Sequence, residues 1–252
     1  MRRARGSSGA PAAELLVPGV ARIDLDRPRR TGVPEVILAE GKRPEELLRI
    51  VLGLRDRGLG ALVSRPSARQ RAALAKGGVR LEYRAHGRIG RLAGPLAPRP
   101  SAGPIALLAA GTSDLPIAEE AQAVLEALGA RVVTEFDVGV AGLHRLIRAI
   151  ARTEAERPEL YLVFAGREGA LPTVVAGLVR APVVGVPTSI GYGKGGRGHA
   201  ALAAMLQSCA PIAVVNIDGG VPAALFALQL LARRSDGRPT PRPARPRRRP
   251  AA

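Results

Sequence analysis

The sequence predicts a doubly wound, flavodoxin-like α/β protein with a smaller α/β region in front of it. Two observations carry that prediction. Five short apolar runs alternate with helical spans between Ile105 and Leu231. Most of these runs are apolar at consecutive positions, as strands covered on both faces must be. Right-handed crossovers then lay the units side by side in one parallel sheet, with the ligand expected at the carboxyl ends of its strands.

The elements follow in order. Residues 1–17 read as a loose leader, and 18–97 as the small α/β domain. In that domain Val36-Ile37-Leu38 is a short strand. Pro44 then opens a helix through about Arg57, with Glu45 and Glu46 beside its positive end. Ala61-Leu62-Val63 is a second strand, a helix over 68–75 stops at Gly77-Gly78, and 81–92 adds a strand or two. The Pro- and Gly-rich stretch 98–104 reads as a linker. The larger domain, 105–232, places strands at 105–109, 131–136, 161–165, 183–186 and 213–217. Helices are expected over about 116–128, 141–152, 171–179 and 200–207, and a last one to about Leu231. Residues 233–252 read as a disordered Arg/Pro tail.

Composition narrows the function. Hydrophobic residues make up 46% of the 252 and aromatic ones 2%, with no Trp. So few aromatics count against a protein that stacks nucleic-acid bases. The formal charge is +17, of which the two ends hold a net +10. A basic body suits phosphate-bearing substrates, and basic tails leave a polyanion binder as a rival. Cys209 is the one cysteine, so no disulfide forms within the chain, and a reducing compartment is expected. No apolar run is long enough to span a membrane or to follow the leading arginines as a signal peptide. A cytoplasmic protein is expected.

Five motifs can carry chemistry, and all are expected at strand carboxyl ends. Gly111-Thr112-Ser113-Asp114 follows the first strand of the large domain and opens a helix. It offers N–H groups and hydroxyls to an anion, or else is a plain helix cap. Asp137-Val138-Gly139 through His144-Arg145 allows close backbone approach, with a proton shuttle and a phosphate clamp nearby. Gly166-Arg167-Glu168 sets a carboxylate at a strand end, as a general acid or base or as a first-turn acid. Thr188 and Ser189, then Gly191-Tyr192-Gly193 and the glycines beyond, form a lid or phosphate cradle. Their GxGxxG spacing is a chance match, because the motif should sit in the tight turn after the first strand. Ser208-Cys209-Ala210-Pro211 offers either a nucleophile or a small buried hydrophobe, and Asn216 and Asp218 close the fifth strand.

Together these motifs resemble a family. The stretch 105–231 is similar to the aminoimidazole ribonucleotide carboxylase (PurE-type) domain through Ser113-Asp114, His144-Arg145, Ala165-Gly166 with Leu171-Pro172, and Val184 to Pro187. The LarB branch is closer, over about 18–232. Its features here are Asp24 to Arg27 with Arg30 to Glu35, Asp137 to Gly142, Glu168 to Pro172, Pro187 to Gly193, and Ser208 to Pro211 leading to Asp218. The resemblance implies carboxylation of nicotinic acid adenine dinucleotide by CO2, giving pyridinium-3,5-dicarboxylate mononucleotide and AMP for a nickel-pincer cofactor. It implies Cys209 as nucleophile, Glu168 as acid/base, and a homo-oligomer, an octamer in PurE-type domains. Mg²⁺ is expected to assist phosphoanhydride cleavage, with Asp114 or Asp218 as candidate ligands. The departures are a more basic lid (Lys194, Arg197, His199) and Arg167 beside Glu168. The rival enzyme is a purine carboxylase or mutase acting on aminoimidazole ribonucleotide, dependent on His144 and not on Cys209.

Overall fold

A computed structural model describes residues 14–96 and 103–235. The chain opens with an antiparallel hairpin of β1 (Glu14–Val17) and β2 (Ala21–Asp24). The last four residues of the expected leader are therefore a strand, because Leu15 and Val17 have an apolar face to bury. Residues 1–13, residue 97, 98–102 of the expected linker and 236–252 of the expected tail lie outside the described residues.

A short helix α1 (Arg27–Thr31) leads to β3 (Val36–Leu38), α2 (Pro44–Arg55), β4 (Ala61–Ser64), α3 (Ala68–Lys76), β5 (Leu81–Arg84) and β6 (Ile89–Leu92). The strands form one sheet in the order β3-β4-β6-β5. Helix α2 buries Leu47, Ile50, Val51 and Leu54, a stripe at helical spacing. Ser67 and Gln70 cap α3 reciprocally, each side chain accepting the other's backbone N–H.

The larger unit alternates β7 (Ile105–Ala109), α4 (Leu115–Ala127), β8 (Val132–Phe136), α5 (Leu143–Ala155), β9 (Leu160–Ala165), α6 (Leu171–Ala176), β10 (Val183–Pro187), α7 (His199–Leu206), β11 (Ile212–Val214) and α8 (Gly220–Ser235). Its sheet runs β8-β7-β9-β10-β11 with every pair parallel. Within this unit that is the order 2-1-3-4-5, the flavodoxin-like arrangement. The first strand lies inside the sheet between β8 and β9, so the winding reverses between β7 and β9 and leaves a crevice at their carboxyl ends. Strand β11 is shorter than expected, and α8 runs to Ser235, past the expected domain end at 232.

Strand residues alternate between two cores. Ile105, Leu107, Leu162 and Phe164 face α4 and α8, while Ala106, Leu108, Tyr161 and Val163 face α5, α6 and α7. The first core also takes in Val33, Leu62 and Ile89 of the N-terminal unit. Helices α4 and α8 are thus covered on both sides, and the two units share a core. Among the described residues no helix is long and apolar enough to cross a membrane.

Candidate functional site

The crevice at the ends of β7, β9 and β10 holds a cavity of about 340 Å³. Gly111, Ser113, Gly139, Arg145, Gly166 and Glu168 line it, with Arg167 and Ile190 at its wall. These residues come from four separate loops. A parallel sheet delivers all four loops to one edge.

Asp114 ties those loops together. One carboxylate oxygen, Oδ1, accepts from the Gly166 N–H at 3.0 Å and the Thr188 hydroxyl at 2.6 Å. The other, Oδ2, accepts from the Gly111 N–H at 2.9 Å. Asp114 is 5% exposed and Thr188 is fully buried. Hydrogen bonds to an ionised carboxylate are the strong ones, and this one joins three strand ends. Asp114 and Thr188 shape the cleft from beneath and offer little to a ligand. Asp114 stands at the N-cap position of α4 but makes no side-chain cap hydrogen bond to that helix, its carboxylate accepting from Gly111, Gly166 and Thr188 instead, while exposed Ser113 lines the cavity. Thr112 is exposed and lies outside the lining.

Two glycines keep the cavity open by close approach. A Cβ on Gly166 would meet the Ile190 carbonyl and stand 2.7 Å from Thr188 Oγ1. On Gly139 it would stand 2.8 Å from the Ala110 carbonyl oxygen. Arg145 reaches the cavity from α5, with Nη1 donating to Asp137 Oδ2 at 2.7 Å. Its neighbour His144 is exposed and lies outside the lining.

Glu168 is exposed at the cavity wall, free to meet a ligand. Arg167 takes a left-handed φ of 49°, its Nε is 3.9 Å from Glu168, and its guanidinium lies 5.2 Å from the ring centroid of Tyr192. The lid over Gly191, Tyr192 and Gly193 continues as a kinked 3-10 turn, Gly193–Gly198. Tyr192 is 76% exposed, its ring facing the Arg167 guanidinium.

Cys209 is exposed, which removes the buried-hydrophobe alternative. Its position corrects the expectation that every motif lies at a strand carboxyl end. Helix α7 carries the chain back down the sheet for eight residues, roughly 12 Å. Ile212, three residues after Cys209, pairs with Val183, the first residue of β10. Cys209 therefore stands near the amino ends of the strands and is not part of the cavity lining. Ser208 fixes its loop, accepting from the Thr173 hydroxyl at 2.9 Å and donating to the Ala210 carbonyl at 2.9 Å.

Asn216 and Asp218 lie beyond the end of β11 and face a second, larger cavity of about 640 Å³ between the two units. Asp218 Oδ1 accepts the Ser189 N–H at 2.8 Å, so the loop after β10 is the wall between cleft and groove. Sequence reasoning missed Arg65 and Glu120 here. Their pairing spans 55 positions and leaves no local pattern.

The donor chemistry does not fit a resident Mg²⁺ at Asp114, whose two oxygens already accept three hydrogen bonds. Asp218 supplies a single carboxylate, and among the described residues no three His, Cys, Asp or Glu side chains gather.

Comparison with known proteins matches residues 104–238 to the AIR carboxylase family and 15–93 to the LarB/PurE-like N-terminal domain. This chain belongs to the LarB-type branch of the AIR carboxylase family. An uncharacterized protein of Methanocaldococcus jannaschii is 39% identical to the LarB-type chain over 214 residues, 82% of either chain. An N5-carboxyaminoimidazole ribonucleotide mutase of the same organism is 35% identical over 133 residues, 51% of the LarB-type chain and 78% of its own. The structure of Treponema denticola PurE covers 52% of this chain and 90% of its own, at 22% identity and a TM-score of 0.40. The LarB-type chain is thus a carboxylase-type enzyme with an added N-terminal unit.

Proposed function

We propose that the protein carboxylates ring carbon 5 of nicotinic acid adenine dinucleotide and hydrolyses its phosphoanhydride, giving pyridinium-3,5-dicarboxylate mononucleotide and AMP. The observation that carries this reading is the pairing of a carboxylase-type cleft, with Glu168 free at its wall, with an exposed thiol in the Ser208–Pro211 turn. A purine-pathway reaction has no task for that thiol.

The chemistry needs a nucleophile because a pyridinium ring is electron-poor. Thiolate addition at ring carbon 4 forms a C–S bond and moves an electron pair onto the ring nitrogen. The resulting dihydropyridine is an enamine, nucleophilic at carbon 5, which forms a C–C bond to CO2. Glu168 takes the proton from carbon 5, and the C–S bond breaks to restore the aromatic ring. Water then divides the phosphoanhydride into two monophosphates.

Within one chain Cys209 and Glu168 stand toward opposite ends of the sheet, so the reading requires Cys209 of one copy to enter the cleft of another. A homo-oligomer is then a condition of catalysis. The test is mass detection of product from the dinucleotide, bicarbonate and Mg²⁺, with wild type and Cys209→Ala. The dicarboxylated mononucleotide and AMP are expected with wild type alone. Conversion of aminoimidazole ribonucleotide in place of the dinucleotide would replace this reading with the purine one.

A further inference from the structure

A cavity of about 560 Å³ opens in the N-terminal unit, where the loops after the parallel strands β3 and β4 come together. Four side chains that are cationic at neutral pH line it, Lys42, Arg65, Arg71 and Arg88, against one carboxylate, Glu40. It shares no lining residue with the strand-end cleft, and only Arg65 with the groove beside Asp218.

That charge is only partly cancelled from behind. Arg65 and Arg88 both donate to Glu120, so two guanidinium groups share one carboxylate. Arg88 Nε is buried and donates to nothing among the described residues. Such a donor is costly until an acceptor meets it. Lys42 Nζ donates to the Leu38 carbonyl at 2.8 Å, which occupies one of its three protons. The nearby Glu119 pairs with His86 and is not part of the lining. Guanidinium forks match phosphoryl oxygens two at a time, and an ammonium adds a point charge. Cations gathered in this number suit an anion that carries two or more charges, and the cavity has room for more than one phosphoryl group.

A line of hydrogen bonds leads from this cavity to the cleft. Arg65 Nη2 donates to the Asp218 carbonyl at 2.6 Å. Asp218, at a left-handed φ of 56°, accepts the Ser189 N–H on Oδ1 at 2.8 Å. The preceding residue, Thr188, donates to Asp114 beneath the cleft. An anion that draws on the Arg65 guanidinium therefore acts on the loop that walls the cleft.

We propose that this cavity binds a multiply charged phosphate-class anion, inorganic pyrophosphate or a longer polyphosphate, and that occupancy is transmitted through Arg65 and Asp218 to the Ser189 loop. It is an effector site, coupled to the cleft and separate from it. The proposal goes beyond the carboxylation reading and does not rest on it.

The test is calorimetric titration of the full chain with inorganic pyrophosphate, in wild type, Lys42→Gln and Arg71→Gln, paired with amide hydrogen exchange over residues 186–191. Both substitutions leave Arg65, Arg88 and Glu120 in place, and thermal midpoints without anion check that each variant folds. One pyrophosphate per chain is expected to bind wild type at low ionic strength, and each variant to weaken it roughly ten-fold. Pyrophosphate should slow exchange of the Ser189 N–H in wild type, and do so in the variants only at correspondingly higher concentration. Wild type that binds no pyrophosphate, or folded variants that bind it as tightly as wild type, overturns the site. Binding with exchange at Ser189 unchanged overturns the transmission. Displacement of pyrophosphate by nicotinic acid adenine dinucleotide, with the same dependence on Lys42 and Arg71, would assign the cavity to the phosphates of a dinucleotide and overturn a separate effector.

Discussion

Glu120, fully buried in α4, binds Arg65 at the end of β4 through both carboxylate oxygens, at 3.0 Å from Arg65 Nε to Oε1 and 3.0 Å from Nη2 to Oε2. Ser64 and Arg88 donate to the same carboxylate, and Arg65 also donates to the Asp218 carbonyl. Burial is the largest influence and would lower the Arg65 pKa, but the hydrogen bonds to Glu120 together with the negative charges of Glu120, Asp218 and Glu40 leave it raised. A catalytic-unit helix is thereby clasped to the sheet of the N-terminal unit. Removing one partner of a buried pair strands the other charges, at a cost of about 3–5 kcal/mol. Glu120→Ala is expected to lower the unfolding free energy by that much, read as a lower urea midpoint at unchanged slope, and to loosen the groove. An equal midpoint in wild type and variant would show the clasp to be ornamental.

The glycine contacts predict a sharp local contrast. Gly166→Ala must push the Ile190 carbonyl and the Thr188 hydroxyl apart, at about 1–3 kcal/mol of overpacking, and it distorts the cleft. Turnover should fall at least ten-fold. Gly196→Ala, in open space with ordinary φ, should leave stability and turnover near wild type. Equal behaviour of the two variants would remove the close-approach argument.

Shared catalysis predicts complementation. Cys209→Ala and Glu168→Gln should each be inactive alone. Refolded together in equal amounts, they should regain activity, because roughly a quarter of randomly assembled sites draw both intact groups. A mixture as inactive as either variant alone, under conditions that refold wild type to full activity, would place both groups in one chain and contradict the geometry.

Tyr161 sets the alkaline limit. Its side chain is fully buried, with the hydroxyl donating to Glu154 at 2.6 Å and lying 3.0 Å from Thr153. Burial foremost, then Glu154, raises its pKa well above the ordinary tyrosine value of 10.0. A raised folded-state value means stability that is whole below pH about 10 and lost as pH climbs toward the folded value. The denaturation midpoint should fall between pH 9 and 11 in wild type. Tyr161→Phe should start lower, by about 1–2 kcal/mol, and show a flatter fall. Parallel pH profiles would assign the loss to other groups.

Much of the fold was legible because strand–helix units leave a local trace. The apolar runs at 105–109, 161–165 and 183–186 are strands of the central sheet within a residue of expectation. Pro44 with two glutamates marks a helix start as the dipole requires. The leader's end was missed because Glu14–Val17 is short and is a strand only through its partner, β2.

The site divides in the same way. Gly111, Gly139, Gly166 and Glu168 were read as strand-end residues, and the structure brings them to one cavity. Thr188 and Asp114 were read as ligand-facing, but they spend their polar atoms on each other and on backbone. Nothing in either residue's neighbours announces a bond across 74 positions.

By itself the sequence determined the fold class, the order of strands and helices in the larger unit, and the loops that carry polar and glycine residues. Those depend on periodicity and on turn chemistry within a few residues. Only the tertiary structure decided which carboxylates are spent inward, that Glu120 meets Arg65, and that Cys209 lies outside the cavity lining of its own chain. A parallel sheet sends the loops after its strands to one end and the loops before them to the other. A thiol that precedes its strand is therefore carried to the far end, whatever its chemistry.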